Sequence, residues 1–172
     1  SKFSIPQIKE DFIFHSRRVK DLAYEILDQE SANLKQKAEA YLYLGASEGY
    51  IGVFEYGEGN LITALINGLQ ADNHFEKALE LDSQMVDAYF GLGVYRYANS
   101  RLGGLGNFIM QGGNDLREVG FNHLEKVLRM NTRTKPLAMK TLAWFYISEQ
   151  INPDNAELPL NHPLHRSRSK IR

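Results

Sequence analysis

An all-α fold, built as a stack of antiparallel helix pairs with about six to seven helices, is what this sequence predicts, and three features predict it. Apolar residues recur at helical spacing along most of the chain. The stretch Ala71–Gly93, ADNHFEKALELDSQMVDAYFGLG, carries two helical faces joined by the polar turn Asp82-Ser83-Gln84, and so short a turn forces its helices to pack antiparallel. The pattern then repeats. Tyr41, Leu44 and Gly45 return 48 positions later as Tyr89, Leu92 and Gly93, and Ala71, Phe75 and Ala78 return 49 positions later as Gly120, Leu124 and Val127.

Taken in order, the first helix follows from Ile8, Phe12, Val19, Leu22, Ala23, Ile26 and Leu27, with Pro6 suited to its first turn. Asp28-Gln29-Glu30-Ser31 reads as a polar turn, and a longer helix runs from about Asn33 to about Tyr56, closed by Gly57, Gly59 and Asn60. A third helix spans about Leu61 to Leu81 and a fourth about Gln84 to Asn99. The glycine cluster GGLGNFIMQGG between Arg101 and Asn114 predicts an ordered loop with one helical turn at Asn107–Met110 and with Phe108, Ile109 and Met110 packed inward. Helices over about Asp115 to Met130 and about Pro136 to Glu149 complete the set. Residues 1–150 thus read as one domain and 151–172 as an irregular or disordered tail, with two prolines and no apolar period in LPLNHPLHRSRSKIR.

Composition narrows the function classes. At 172 residues and 43% hydrophobic, the chain can bury one core. A net charge of -1 gives no electrostatic reason to expect nucleic acid or anionic lipid, despite Arg166, Arg168, Lys170 and Arg172 in the tail. The absence of cysteine excludes disulfides, thiolate chemistry and cysteine zinc sites. No apolar run approaches the roughly 20 residues of a membrane span. Ser1-Lys2-Phe3, with neither methionine nor apolar leader, reads as a processed protein or an excised fragment.

Small residues stand where two helices would otherwise collide, at Ala71, Ala78, Ala88 and Gly93, with Phe75, Tyr89 and Leu92 filling the space beside them. On these residues the chain resembles the tetratricopeptide repeat, the Ala71, Phe75, Ala78 set matching its second helix and Tyr89, Leu92, Gly93 its first. A further copy of the first helix is carried by Leu142, Ala143 and Tyr146, and Ser83 stands where the family usually has proline. The period exceeds the usual length of about 34 residues, the excess falling at about Glu48 to Leu69 and Ser100 to Asp115. With "DAYFGLGVYRY" and "GGNDLREVGFNHLEKV", the sequence looks like a little-characterised bacterial group of long-hairpin repeat proteins with glycine-rich inserts. The resemblance implies a right-handed superhelical stack, further repeats on both sides, and export to the periplasm or membrane association in a bacterium; the residues themselves fix no compartment.

No catalytic constellation emerges, and an enzyme is not expected. Gly103, Gly104 and Gly106 fail as a phosphate loop, since Ile109 stands where a third glycine is needed and no strand precedes. His74 and His123 occupy equivalent repeat positions, too far apart to share an ion, and read as partly exposed helix-surface residues. No cofactor or metal is expected. Glu48 and Arg96 each replace the bulky residue the repeat usually buries, and are expected to form a partly buried ion pair.

The family's ligand-facing positions, carried over by alignment, are Leu42, Ala46 and Tyr50 in one copy, Asp87, Phe90, Val94 and Tyr97 in the next, and Lys140, Trp144 and Ile147 in the last. This concave face is mostly apolar, lacking the lysines and asparagines that clamp a carboxylate terminus. It suits an amphipathic helix, a small apolar molecule, or another part of the same protein, such as inserts at Gly57–Gly68 and Gly103–Gly113 folded over it. The sequence therefore predicts a non-catalytic scaffold binding a protein or peptide, with a ligand-binding transport accessory component as the alternative. A homodimer through the last helix is also expected, because Leu142, Trp144, Phe145 and Ile147 give it an outer apolar side without a following helix.

Overall fold

The computed structural model describes residues 5–102 and 112–151, and among these the chain forms six α-helices and no strand. They are α1 (Ile5–Leu27), α2 (Leu34–Gly57), α3 (Leu61–Leu81), α4 (Val86–Leu102), α5 (Arg117–Arg129) and α6 (Lys135–Ile151). The helical turn expected at Asn107–Met110 and the tail from Asn152 fall outside the described residues. The chain divides into two compact units, Ser1–Gly91 and Leu92–Arg172, the division falling within α4.

Short-range chemistry sets the ends of the helices. Asn33 caps α2 through a reciprocal pair, its side chain accepting from the Gln36 N–H and the Gln36 side chain accepting from the Asn33 N–H, both at 2.9 Å. Gly59, at φ +83°, supplies the left-handed residue that lets the chain reverse between α2 and α3. Asp82 ends α3, and its carboxylate accepts from the Gln84 N–H at 2.9 Å to fold the next turn.

In the first unit α1 and α2 run antiparallel, as the pairs Lys9–Glu58 and Ser16–Ser47 require. Their seam buries Ala23, Ala40 and Leu44, with Ile26, Leu27 and Tyr41 packed against them. The opposite seam, α2 on α3, is lined with glycine. Gly45, Gly49 and Gly52, at i, i+4 and i+7, face Phe75, Ala71 and the backbone of Ala64 and Gly68. The Phe75 ring fills the space left by two glycines: a Cβ at Gly45 would come within 2.8 Å of it, and one at Gly91 nearer still. The excess repeat length between Glu48 and Leu69 is accordingly helix, interrupted only by the turn at 58–60, and no insert at Gly57–Gly68 folds over a face. Glycines spaced to one side of a helix serve close approach there and do not break it.

In the second unit the C-terminal part of α4 lies against α5 with even less space. A Cβ at Gly120 would stand 2.7 Å from the Gly93 carbonyl oxygen and 3.0 Å from the Tyr97 nitrogen. Tyr97 stacks on Phe145 at 3.6 Å between centroids, and Phe121 meets both edge-on. Leu92, Leu124, Val127, Ala138 and Leu142 close the core around them.

Candidate interaction surfaces

Several apolar side chains stay open, among them Ile62 on α3 at 75%, and two helix faces coincide with the positions expected to bind. On α2, the side turned away from α1 and α3 carries Tyr43, Ala46, Tyr50 and Val53 at i, i+3, i+7 and i+10, and three of these are largely exposed: Tyr43 56%, Tyr50 62%, Val53 73%. On α6, Ala138, Leu142, Phe145 and Glu149 form the buried stripe at i, i+4, i+7 and i+11. The outward side carries Met139, Trp144 and Ile147, with Ala143 between Met139 and Ile147; Trp144 is 65% exposed.

Among the positions expected to face a ligand, Tyr50, Asp87, Lys140, Trp144 and Ile147 are exposed, and Leu42, Ala46, Phe90 and Val94 are half-buried. Tyr97 is a correction. It is 4% exposed, and α5 covers it because Gly93 and Gly120 let the two helices approach to backbone contact. Of the last helix's expected outer side, Leu142 and Phe145 belong to the core as well. Tyr43, Val53 and Met139 were not anticipated, although their helical spacing to Tyr50 and Trp144 placed them on the same faces.

Each unit also buries one carboxylate. Glu48, 1% exposed, holds Lys20 Nζ at 3.0 Å and His74 Nδ1 at 2.6 Å. His74 in turn stacks on Tyr41, whose ring also receives Lys77. His74 is partly exposed, at 15% of its side chain, and the carboxylate holds it. Arg96 lies in the second unit, near His123.

The second carboxylate, Glu149, accepts from the Tyr97 hydroxyl at 2.8 Å and from Arg117 Nη1 at 3.1 Å, with Arg101 at 3.5 Å. Arg117 grips Asp115 with its remaining donors, Nε to both carboxylate oxygens and Nη2 to one of them. Burial, then the hydrogen bond to Glu149, pushes the Tyr97 phenol far above its ordinary range. Burial alone would raise the Asp115 carboxyl, but its hydrogen bonds from Arg117 outweigh that and hold it low. Every oxygen of Glu149 is thus engaged by a protein donor, which suits a structural tie between helices more than chemistry on a substrate.

Among the described residues no three metal-ligating side chains gather, and no helix is long and apolar enough to cross a membrane. No family model, curated protein or solved structure matches the chain.

Proposed function

We propose that the protein is a non-catalytic interaction scaffold that binds a peptide or helix through open helix faces, Leu42, Ala46 and Tyr50 marking one and Lys140, Trp144 and Ile147 another. The observation that carries this reading is the α6 face. A helix needs one apolar side to hold its place in a bundle, and α6 has that side in Ala138, Leu142 and Phe145; the second apolar side, with Trp144 65% exposed, adds nothing to the fold and costs solubility. The Tyr43, Tyr50, Val53 stripe of α2 is open in the same way. Large rigid side chains of this kind supply most of the binding energy where proteins meet. The resemblance to tetratricopeptide repeats supports the same faces, because repeat arrays of this kind bind along their first helices.

Capture of polypeptides by the immobilised chain tests the reading. Single variants Tyr50→Glu and Trp144→Glu, both at exposed positions and therefore expected to fold normally, should each lower recovery of the bound partner by about fivefold or more if that face is used. Equal recoveries by the native chain and by both variants would rule the faces out.

A further inference from the structure

We infer that the outer face of α6 is a docking site for an acidic amphipathic helix supplied by another protein, a specification that rests on the scaffold reading above. The charges around the face decide it. From Met130 to Ile151 the chain has three cations, Arg133, Lys135 and Lys140, all exposed, and a single carboxylate, Glu149, which is buried and held by Arg117 and Tyr97. Lys140 lies on the open side itself, with Lys135 and Arg133 at and just before the first turn of the helix, so the accessible charge of this segment is positive in a chain whose net charge is -1.

Three occupants differ in how they meet that pattern. A second copy joined through the same face about a two-fold axis would bring no accessible carboxylate on the helix to pair with Lys135 and Lys140. A lipid surface would gain only about 1 kcal/mol from each nearby cation. A helix with acidic flanks satisfies both features. Its carboxylates meet Lys135 and Lys140, and Ala143, the small residue between Met139 and Ile147, lets its axis approach closely.

Trp144 is the sole tryptophan, so its emission reports occupancy of this face without a label. The probe is a synthetic amphipathic peptide of about 20 residues, a length that sustains a helix, with leucine and isoleucine on one side and glutamate on the flanks. The expected result is a saturable blue shift of Trp144 emission that weakens with salt. Binding should fall about tenfold when lysine replaces the peptide's glutamates, and likewise for Lys135→Glu/Lys140→Glu protein of unchanged helicity.

Equal binding of both peptides, or no shift with either, would overturn the inference. So would a shift produced only by phosphatidylglycerol vesicles, or one that grows with protein concentration alone while sedimentation reports a dimer. Failure here and failure of the scaffold reading are separable. Capture that depends on Tyr50 while the peptides leave Trp144 unmoved removes the acidic helix and keeps the scaffold; capture indifferent to both Tyr50 and Trp144 removes the scaffold itself.

Discussion

Glu48 and Glu149 are both buried carboxylates on the core side of a helix, yet the two units hold them differently. Glu48 has partners with a route to water, Lys20 at 26% exposure and His74 at 15%. Glu149 is paired with Arg117, itself 2% exposed, and Arg117 is committed to Asp115 as well. The difference lies in what is left behind when a partner is lost. In the first unit Lys20 and His74 can turn to solvent when Glu48 is lost; in the second, loss of Arg117 leaves Glu149 buried with only Tyr97 and, at 3.5 Å, Arg101 to offset its charge.

The largest expected effect follows from that contrast. Arg117→Met keeps the bulk but takes from Glu149 its closest cation, leaving Arg101 at 3.5 Å, and frees Asp115, and should lower the unfolding free energy of the chain by about 3 kcal/mol. Adding Glu149→Leu should restore part of the loss, because an apolar pair of similar volume removes the poorly compensated buried charge. Chemical denaturation of both variants measures this, and a double variant no better than the single would show that the Asp115 side of the network dominates.

A smaller effect is expected at Glu48. Glu48→Gln retains the shape and one hydrogen-bond acceptor for His74, while Lys20 can reach water, so the cost should be about 1–2 kcal/mol. A loss as large as that of Arg117→Met would mean that Lys20 and His74 are as confined as Arg117, and the contrast between the units would collapse.

These clusters also mark what the residues alone could and could not tell. Helix order and turns were legible because Asn33, Gly59 and Asp82 carry local chemistry that needs no tertiary context. Glu149 was legible in principle, since it continues the stripe Ala138, Leu142, Phe145 by one turn, and a carboxylate on a core stripe demands a buried cation. Choosing Arg117 as that cation depends on how α5 meets α6, which no single helix pattern states. Tyr97 was misplaced for a similar reason. Its register on α4 assigns it to the open face, but Gly93 and Gly120 bring α5 so close that the ring is enclosed and stacked on Phe145. Open positions such as Tyr50 and Trp144 follow from helix periodicity. Whether a flanking residue is covered depends on interaxial distance, which one or two glycines can change by ångströms.

The smallest expected effect separates the histidines of the two units. His74 lies against a carboxylate, whereas His123 is surrounded by Arg96 and Lys126, and burial first, then those two cations, lowers its pKa from 6.5 to about 4. Above pH 6.5 the imidazole is neutral in the folded and unfolded chain alike, so it has no pH-dependent effect there. As the pH falls from 6.5 towards 4 the unfolded chain takes up a proton that the folded chain refuses, and stability drops across that window and then levels off. His123 is incompletely buried, so screening reduces the effect, and lowering the pH from 7 to 5 should cost about 1 kcal/mol from this residue. Urea denaturation at the two pH values, compared between the native chain and His123→Gln, isolates it: the variant should lose less stability at pH 5 than the native chain does. An identical loss in both would place the acid sensitivity elsewhere and leave Arg96 and Lys126 too far from the ring to matter.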